Sequence, residues 1–129
     1  MKRNNNGFTL VEIMIVVAII ALLAAIAIPN LLRARISAND ALAKSTLRSL
    51  STAAETFATA NTGDYPDTET DLTGAIPPYL NTAYCDTTVS GFSYTCDLTT
   101  SSYTFTASPT LVGTSGTTVF TITTGGVLQ

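Results

Sequence analysis

Residues 4–30, NNNGFTLVEIMIVVAIIALLAAIAIPN, set a carboxylate, Glu12, four positions into a run that is otherwise almost wholly apolar. Between Phe8 and Ile28 the only polar side chains are Thr9 and Glu12. As a helix these residues rise about 31 Å at roughly 1.5 Å each, which matches the hydrocarbon thickness of a bilayer. The segment is long enough to span a membrane. An ionisable side chain inside such a span costs about 2.5–3.5 kcal/mol on insertion scales, so Glu12 needs a reason and a partner.

The remainder of the 129 residues leaves room for one modest domain. Its charge is one-sided. All Lys and Arg lie at or before Arg48 (Lys2, Arg3, Arg33, Arg35, Lys44, Arg48), whereas Glu55, Asp64, Asp67, Glu69, Asp71, Asp86 and Asp97 follow with no cation among them. Phosphate contacts need Lys and Arg, so only the Arg33–Arg48 segment could touch nucleic acid, and no such partner is expected. With no His, no G-x-S-x-G, no phosphate loop and no Cys/His pair, the chain offers no catalytic, cofactor-binding or metal-ligating constellation and reads as a non-enzyme without a cofactor. The acidic run Asp64, Asp67, Glu69, Asp71 reads as a solvated loop. Calcium is its alternative, although the spacing lacks the EF-hand pattern and its glycine. Cys85 and Cys96 cannot complete a four-ligand zinc site without His. Behind a membrane-crossing segment they read as one disulfide formed in an oxidising compartment, the other reading being two unpaired thiols.

Residues 1–7, MKRNNNG, form a short basic leader whose Lys2 and Arg3 favour a cytoplasmic start, with Arg33 and Arg35 competing on the far side. Pro29 falls within the helical pattern; its missing N–H frees the carbonyl of Ala25, so a kink or local melting is expected there. Beyond it, LLRARISANDALAKSTLRSLSTAAETFATA has no Gly or Pro, and Ala43, Leu47, Leu50, Ala54 and Phe57 recur as one stripe of a continuing amphipathic helix. Asp40 stands four residues before Lys44 and reads as half of a solvated surface pair. The stretch NTGDYPDTETDLTGAIPPYLNTAY is turn-rich and predicts a loop with short helical turns at most. Three strands follow by alternation: Phe92, Tyr94 and Cys96; Tyr103, Phe105 and Ala107; and TTVFTIT at 117–123. Laid over the helix stripe, they predict an α+β fold, a long N-terminal helix whose first half spans a membrane and whose second half packs against a small antiparallel sheet.

The stretch GFTLVEIMIVVAIIALLAAIAIPN resembles the class III signal and N-terminal helix of type IV pilins and their pseudopilin relatives, strongly over about residues 1–60. The resemblance implies the pilin fold and cleavage by a prepilin peptidase between Gly7 and Phe8, with N-methylation of Phe8. The new ammonium would lie one helical turn from Glu12. The implied role of Glu12 is assembly, pairing with the amino terminus of a neighbouring subunit; a pair within the same chain is the other reading. Pro29 matches the position where helices of the family loosen in filaments, and Cys85–Cys96 resembles the disulfide that braces many pilin heads.

The expected organisation is a cleaved leader at 1–7, a transmembrane and filament-core helix at 8–29, its amphipathic continuation at 30–62, and a head at 63–129 with a loop, about three antiparallel strands and one disulfide. The expected function is that of a structural subunit, polymerising into a helical extracellular homo-oligomer. Its expected partners are prepilin peptidase, lipid before assembly, and an inner-membrane platform with cytoplasmic ATPases. The expected localisation is single-pass in the inner membrane, leader inside and head outside, then the extracellular pilus. The alternatives are the major pseudopilin of a type II secretion system, a soluble domain released at the A-x-A-like site Ala25-Ile26-Ala27, and an uncleaved monomeric binding module. The aromatics Tyr65, Tyr79, Tyr84, Tyr94 and Tyr103 read as head residues, not as a conducting path.

Overall fold

The computed structural model describes residues 7–129, so the expected leader other than Gly7 lies outside the described residues, Lys2 and Arg3 included. The elements, in order, are α1 (Leu10–Ala60), α2 (Glu69–Thr73), β1 (Thr88–Val89), β2 (Phe92–Thr99), β3 (Ser102–Pro109), β4 (Phe120–Thr123) and β5 (Val127–Leu128). Contacts divide the chain into two compact units at Ala34 and Arg35.

In the N-terminal unit, α1 is apolar on every side. Ile13, Val16, Ile20, Leu23 and Ile28 are all exposed, and no residue of its apolar window is buried. A helix hydrophobic all round with no protein against it is built for an apolar surrounding. It is long and apolar enough to cross a membrane. At Pro29, where a kink or local melting is expected, α1 continues as one helix. The ring removes one N–H donor, and the flanking turns hold the helix; the Asn30 side-chain amide adds a bond to the Ile26 carbonyl at 3.0 Å.

In the C-terminal unit the helix stripe finds its cover. Ala43, Leu47, Leu50 and Ala54 are buried, and Phe57 packs at the edge of the same cluster. Facing them are Phe92 and Tyr94 of β2, Tyr103, Phe105 and Ala107 of β3, and Phe120 and Ile122 of β4. Alternation is what makes this possible, since every second side chain of a strand points to one face. The register aligns those faces: Tyr94 stands opposite Ala107, Phe105 opposite Ile122, and Ala107 opposite Phe120. Each large side chain contributes about 1.5–3 kcal/mol when taken from water. Leu72 of α2 and Leu80 close the core from the loop side.

The sheet is antiparallel, with five strands in the order β1-β2-β3-β4-β5, against the three expected. The two additional strands are the edges, each two residues long. Short edges present few unpaired backbone groups to another chain. The third expected strand is also trimmed: residues 117–119 lie outside β4, and the backbone N–H of Thr117 donates to Asp40 instead of to a neighbouring strand.

Candidate functional site

The N-terminal site is built by Thr9 and Glu12. Glu12 Oε2 accepts the Thr9 backbone N–H at 2.8 Å and its hydroxyl at 2.7 Å, while the Glu12 N–H donates to Thr9 Oγ1 at 3.2 Å. This is a reciprocal capping box at the start of α1, in which each residue satisfies a backbone donor the first helical turn would leave open. The signal was in the sequence as T-x-x-E directly before an apolar run. Glu12 Oε1 makes no hydrogen bond among the described residues. Phe8 is 85% exposed. At Gly7 an added Cβ would meet nothing within 4 Å, so the fold itself makes no demand for glycine there.

The head uses its acids for tertiary contacts. Asp40 does not serve Lys44: its carboxylate accepts the Thr117 N–H at 3.0 Å and hydroxyl at 2.7 Å, and Lys44 Nζ instead lies 4.7 Å from the centroid of the Phe120 ring, within cation–π range. Beside it, the Asn39 side-chain amide donates to the Ser115 carbonyl at 2.8 Å. Together they tie the loop between β3 and β4 to α1. Gly116 sits where that loop passes over the core, and a Cβ there would come within 2.2 Å of Phe92 Cζ.

The four carboxylates of the 64–71 run are not gathered around one point. Asp71 caps α2 by accepting the Thr68 N–H and hydroxyl, both at 2.9 Å. Glu69 Oε1 accepts the backbone N–H groups of Tyr84 and Cys85. Asp64 and Asp67 remain exposed. Among the described residues no group of three or more His, Cys, Asp or Glu side chains is arranged to hold a metal ion. Cys85 and Cys96 are joined in a disulfide with Cα atoms 5.5 Å apart, linking the strand-entry loop to β2.

Glu55, on α1, is a hub that the helix pattern did not reveal. Its carboxylate accepts the Tyr103 hydroxyl at 2.8 Å, the Tyr65 hydroxyl at 3.1 Å and the Gly125 backbone N–H at 2.8 Å. Burial pushes its pKa up, but the bonds from Tyr103, Gly125 and Tyr65 outweigh it and hold the group below the usual glutamate value. The converse holds for the phenols: burial, then the bond to the carboxylate, raises Tyr65, and burial raises Tyr103 despite the bond to Ser51. The sequence flags none of these partners, because the contacts join positions 10, 48 and 70 residues apart, beyond the reach of helix or strand periodicity.

A helix apolar and uncovered over its first half and sheet-covered over its second, with a T-x-x-E cap at its start, is long and apolar enough to anchor a protein in a membrane by its N-terminal part. Comparison makes this specific. The family profile described as the prokaryotic N-terminal methylation motif matches residues 2–28. The chain is 68% identical over 38 residues to the type IV wide pilus major component PilA4 of Thermus thermophilus, covering 30% of this chain and 29% of that protein. It is 53% identical over 53 residues to the type IV major pilin protein PilA of Myxococcus xanthus, covering 41% and 24%. It is also 37% identical over 71 residues to the type II secretion system core protein G of Aeromonas hydrophila, covering 55% and 49%. The chain thus matches under a third of either pilin and about half of the secretion protein. No solved structure matches it. Over its N-terminal helix, then, the chain is similar to type IV pilins and to a type II secretion pseudopilin, and its long helix with a small antiparallel sheet is a pilin-like α+β architecture.

Proposed function

We propose that the chain is a structural subunit of a type IV pilus, made as a membrane-spanning prepilin and polymerised into a helical extracellular filament. The observation that carries this reading is the methylation motif over residues 2–28 running into a single helix whose apolar half has no cover of its own. Such a surface is stable in lipid before assembly and against other copies of itself afterwards. In the N-terminal half, Ala18, Ala21, Ala24, Ala25 and Ala27 allow close approach of helices.

In this reading residues 1–7 are the leader, 8–29 the membrane and then filament-core segment, 30–62 its amphipathic continuation, and 63–129 the head. Prepilin peptidase cuts between Gly7 and Phe8 and methylates Phe8. That glycine is not required by the fold, which supports a requirement set by another protein. Glu12, held by Thr9 through one oxygen, offers the other to the ammonium of a neighbouring subunit. Pro29, helical in the isolated chain, is the point where α1 loosens on assembly. The leader faces the cytoplasm and the head the outside. Extension and retraction are driven by cytoplasmic ATPases through an inner-membrane platform, since the chain carries no phosphate-binding loop.

The likeness to core protein G favours a second reading, the pseudopilin of a type II secretion system, though at lower identity than the pilins. The experiment for both is intact mass with N-terminal fragmentation of protein sheared from cells. A methylated Phe8, two hydrogens short of the reduced-thiol mass, is the expected result for the pilin reading. Absence of sheared material with a processed protein in the membrane favours the pseudopilin. A start at Ile28 or an intact Met1 overturns both, in favour of a released domain or an uncleaved anchor.

A further inference from the structure

The last hairpin of the head is fastened to the rest of the unit by unusual means. The turn between β4 and β5 holds Gly125 and Gly126, both at positive φ (83° and 75°), a conformation that glycine adopts without strain. Its two backbone N–H groups do not point to water. Gly125 donates to Glu55 at 2.8 Å, and Gly126 donates to the Tyr103 hydroxyl at 3.2 Å, which itself donates to Glu55 and shares a hydrogen bond with Ser51 at 2.8 Å. Tyr65, from the loop after α1, donates to the other carboxylate oxygen. One side chain thus ties together α1, β3, the loop before α2 and the C-terminal turn.

The charge has no counter-ion of its own region. No Lys, Arg or His follows Arg48, and the titratable groups that face Glu55 are the phenols of Tyr103 and Tyr65, both neutral donors whose ionisation is pushed upward. Its neighbours on α1 and on the turn, Ser51 and Gly125, do not titrate. Among the described residues the carboxylate therefore rests on three hydrogen-bond donors, and each of them needs an acceptor. β5 adds little to hold the turn, being two residues long and paired only with β4.

We propose that Glu55 is a protonation-operated latch: the charged carboxylate pins the β4–β5 turn to α1, and uptake of one solvent proton releases the C-terminal hairpin while the aromatic core stays folded. Protonation removes the charge that strengthens all three bonds and turns one oxygen into a hydroxyl donor, so the Gly125 N–H is left on a weaker, neutral acceptor. The turn is the partner least able to compensate, since Tyr103 keeps Ser51 and both tyrosine rings keep their packing contact, 5.3 Å between centroids. The direction is fixed by linkage. A carboxylate held below its unfolded value contributes stability that is complete above the unfolded pKa and is lost as pH falls through the folded one. Release therefore belongs to the acid side of the ordinary glutamate range.

The latch concerns the head alone and stands apart from the pilus reading. Its test is hydrogen exchange read by mass spectrometry on the full chain in detergent micelles across pH 3–7, corrected for intrinsic exchange, comparing peptides covering 120–129 with those covering 92–99. Wild-type protein is expected to lose protection at 120–129 below about pH 4.5 while 92–99 keeps it. Glu55→Gln retains every other acid of the head and is expected to give 120–129 peptides whose protection no longer changes with pH. Tyr65→Phe, which removes one donor at the edge of the core, is expected to shift the midpoint upward. A Glu55→Gln profile that follows wild type, or loss of protection in both peptides together, overturns the proposal. Should Glu55→Gln fail to fold, the Tyr65→Phe midpoint decides, and an unmoved midpoint overturns it.

Discussion

Glu12 and Thr9 satisfy one another across the first turn of α1, the carboxylate taking both the N–H and the hydroxyl of Thr9 on Oε2, at 2.8 and 2.7 Å. A carboxylate in an apolar run thus has a local partner within its own first turn. One oxygen caps the helix start, and the other makes no hydrogen bond among the described residues.

Glu12→Ala is expected to insert and be cleaved normally but to assemble poorly, because a buried ammonium would then lack its acceptor. Filament yield by shearing, set beside cleaved protein in the membrane fraction, measures this. Abundant filaments from the variant would sink the assembly role.

Thr9→Ala removes the hydroxyl that Oε2 and the Glu12 N–H share, and should weaken the first turn by about 1 kcal/mol, as loss of a cap does elsewhere. Faster amide exchange confined to residues 9–13, restored by Thr9→Ser, is the expected signature.

Gly116→Ala should destabilise the head by about 1–3 kcal/mol, since its methyl would meet the ring of Phe92, a fully buried residue with no room to move. A thermal melt of the full chain in detergent reads this out. An unchanged melt would mean that the loop over Phe92 is laxer than its contacts imply.

Replacing Cys85 and Cys96 with Ser should cost about 2–3 kcal/mol, the chain-entropy value for a loop of this length. The loss should show in exchange first within residues 86–96, while the amides of Tyr84 and Cys85, still held by Glu69, keep their protection. Asp40→Ala should cost about 1–2 kcal/mol through the two bonds to Thr117, with exchange rising in residues 110–119 and not in the sheet.

The parts of the fold that rest on local periodicity could be read before any tertiary contact was known. The apolar run, the stripe from Ala43 to Phe57, and the alternation in β2 and β3 were legible because helix and strand geometry repeat every few residues, so side chains of one kind at that spacing fix one face. The T-x-x-E cap was equally local and could have been read. Tertiary structure alone decided the rest. Edge strands two residues long carry no pattern and exist only where a neighbour offers its backbone groups. Asp40, four residues from Lys44, pairs with Thr117 because the loop after β3 folds back on α1, and residues 117–119 leave the sheet for the same reason. Glu55 meets Tyr103 and Gly125 across 48 and 70 positions. Spacing along the chain is silent about such contacts, since what brings the partners together is the core buried between the helix and the sheet.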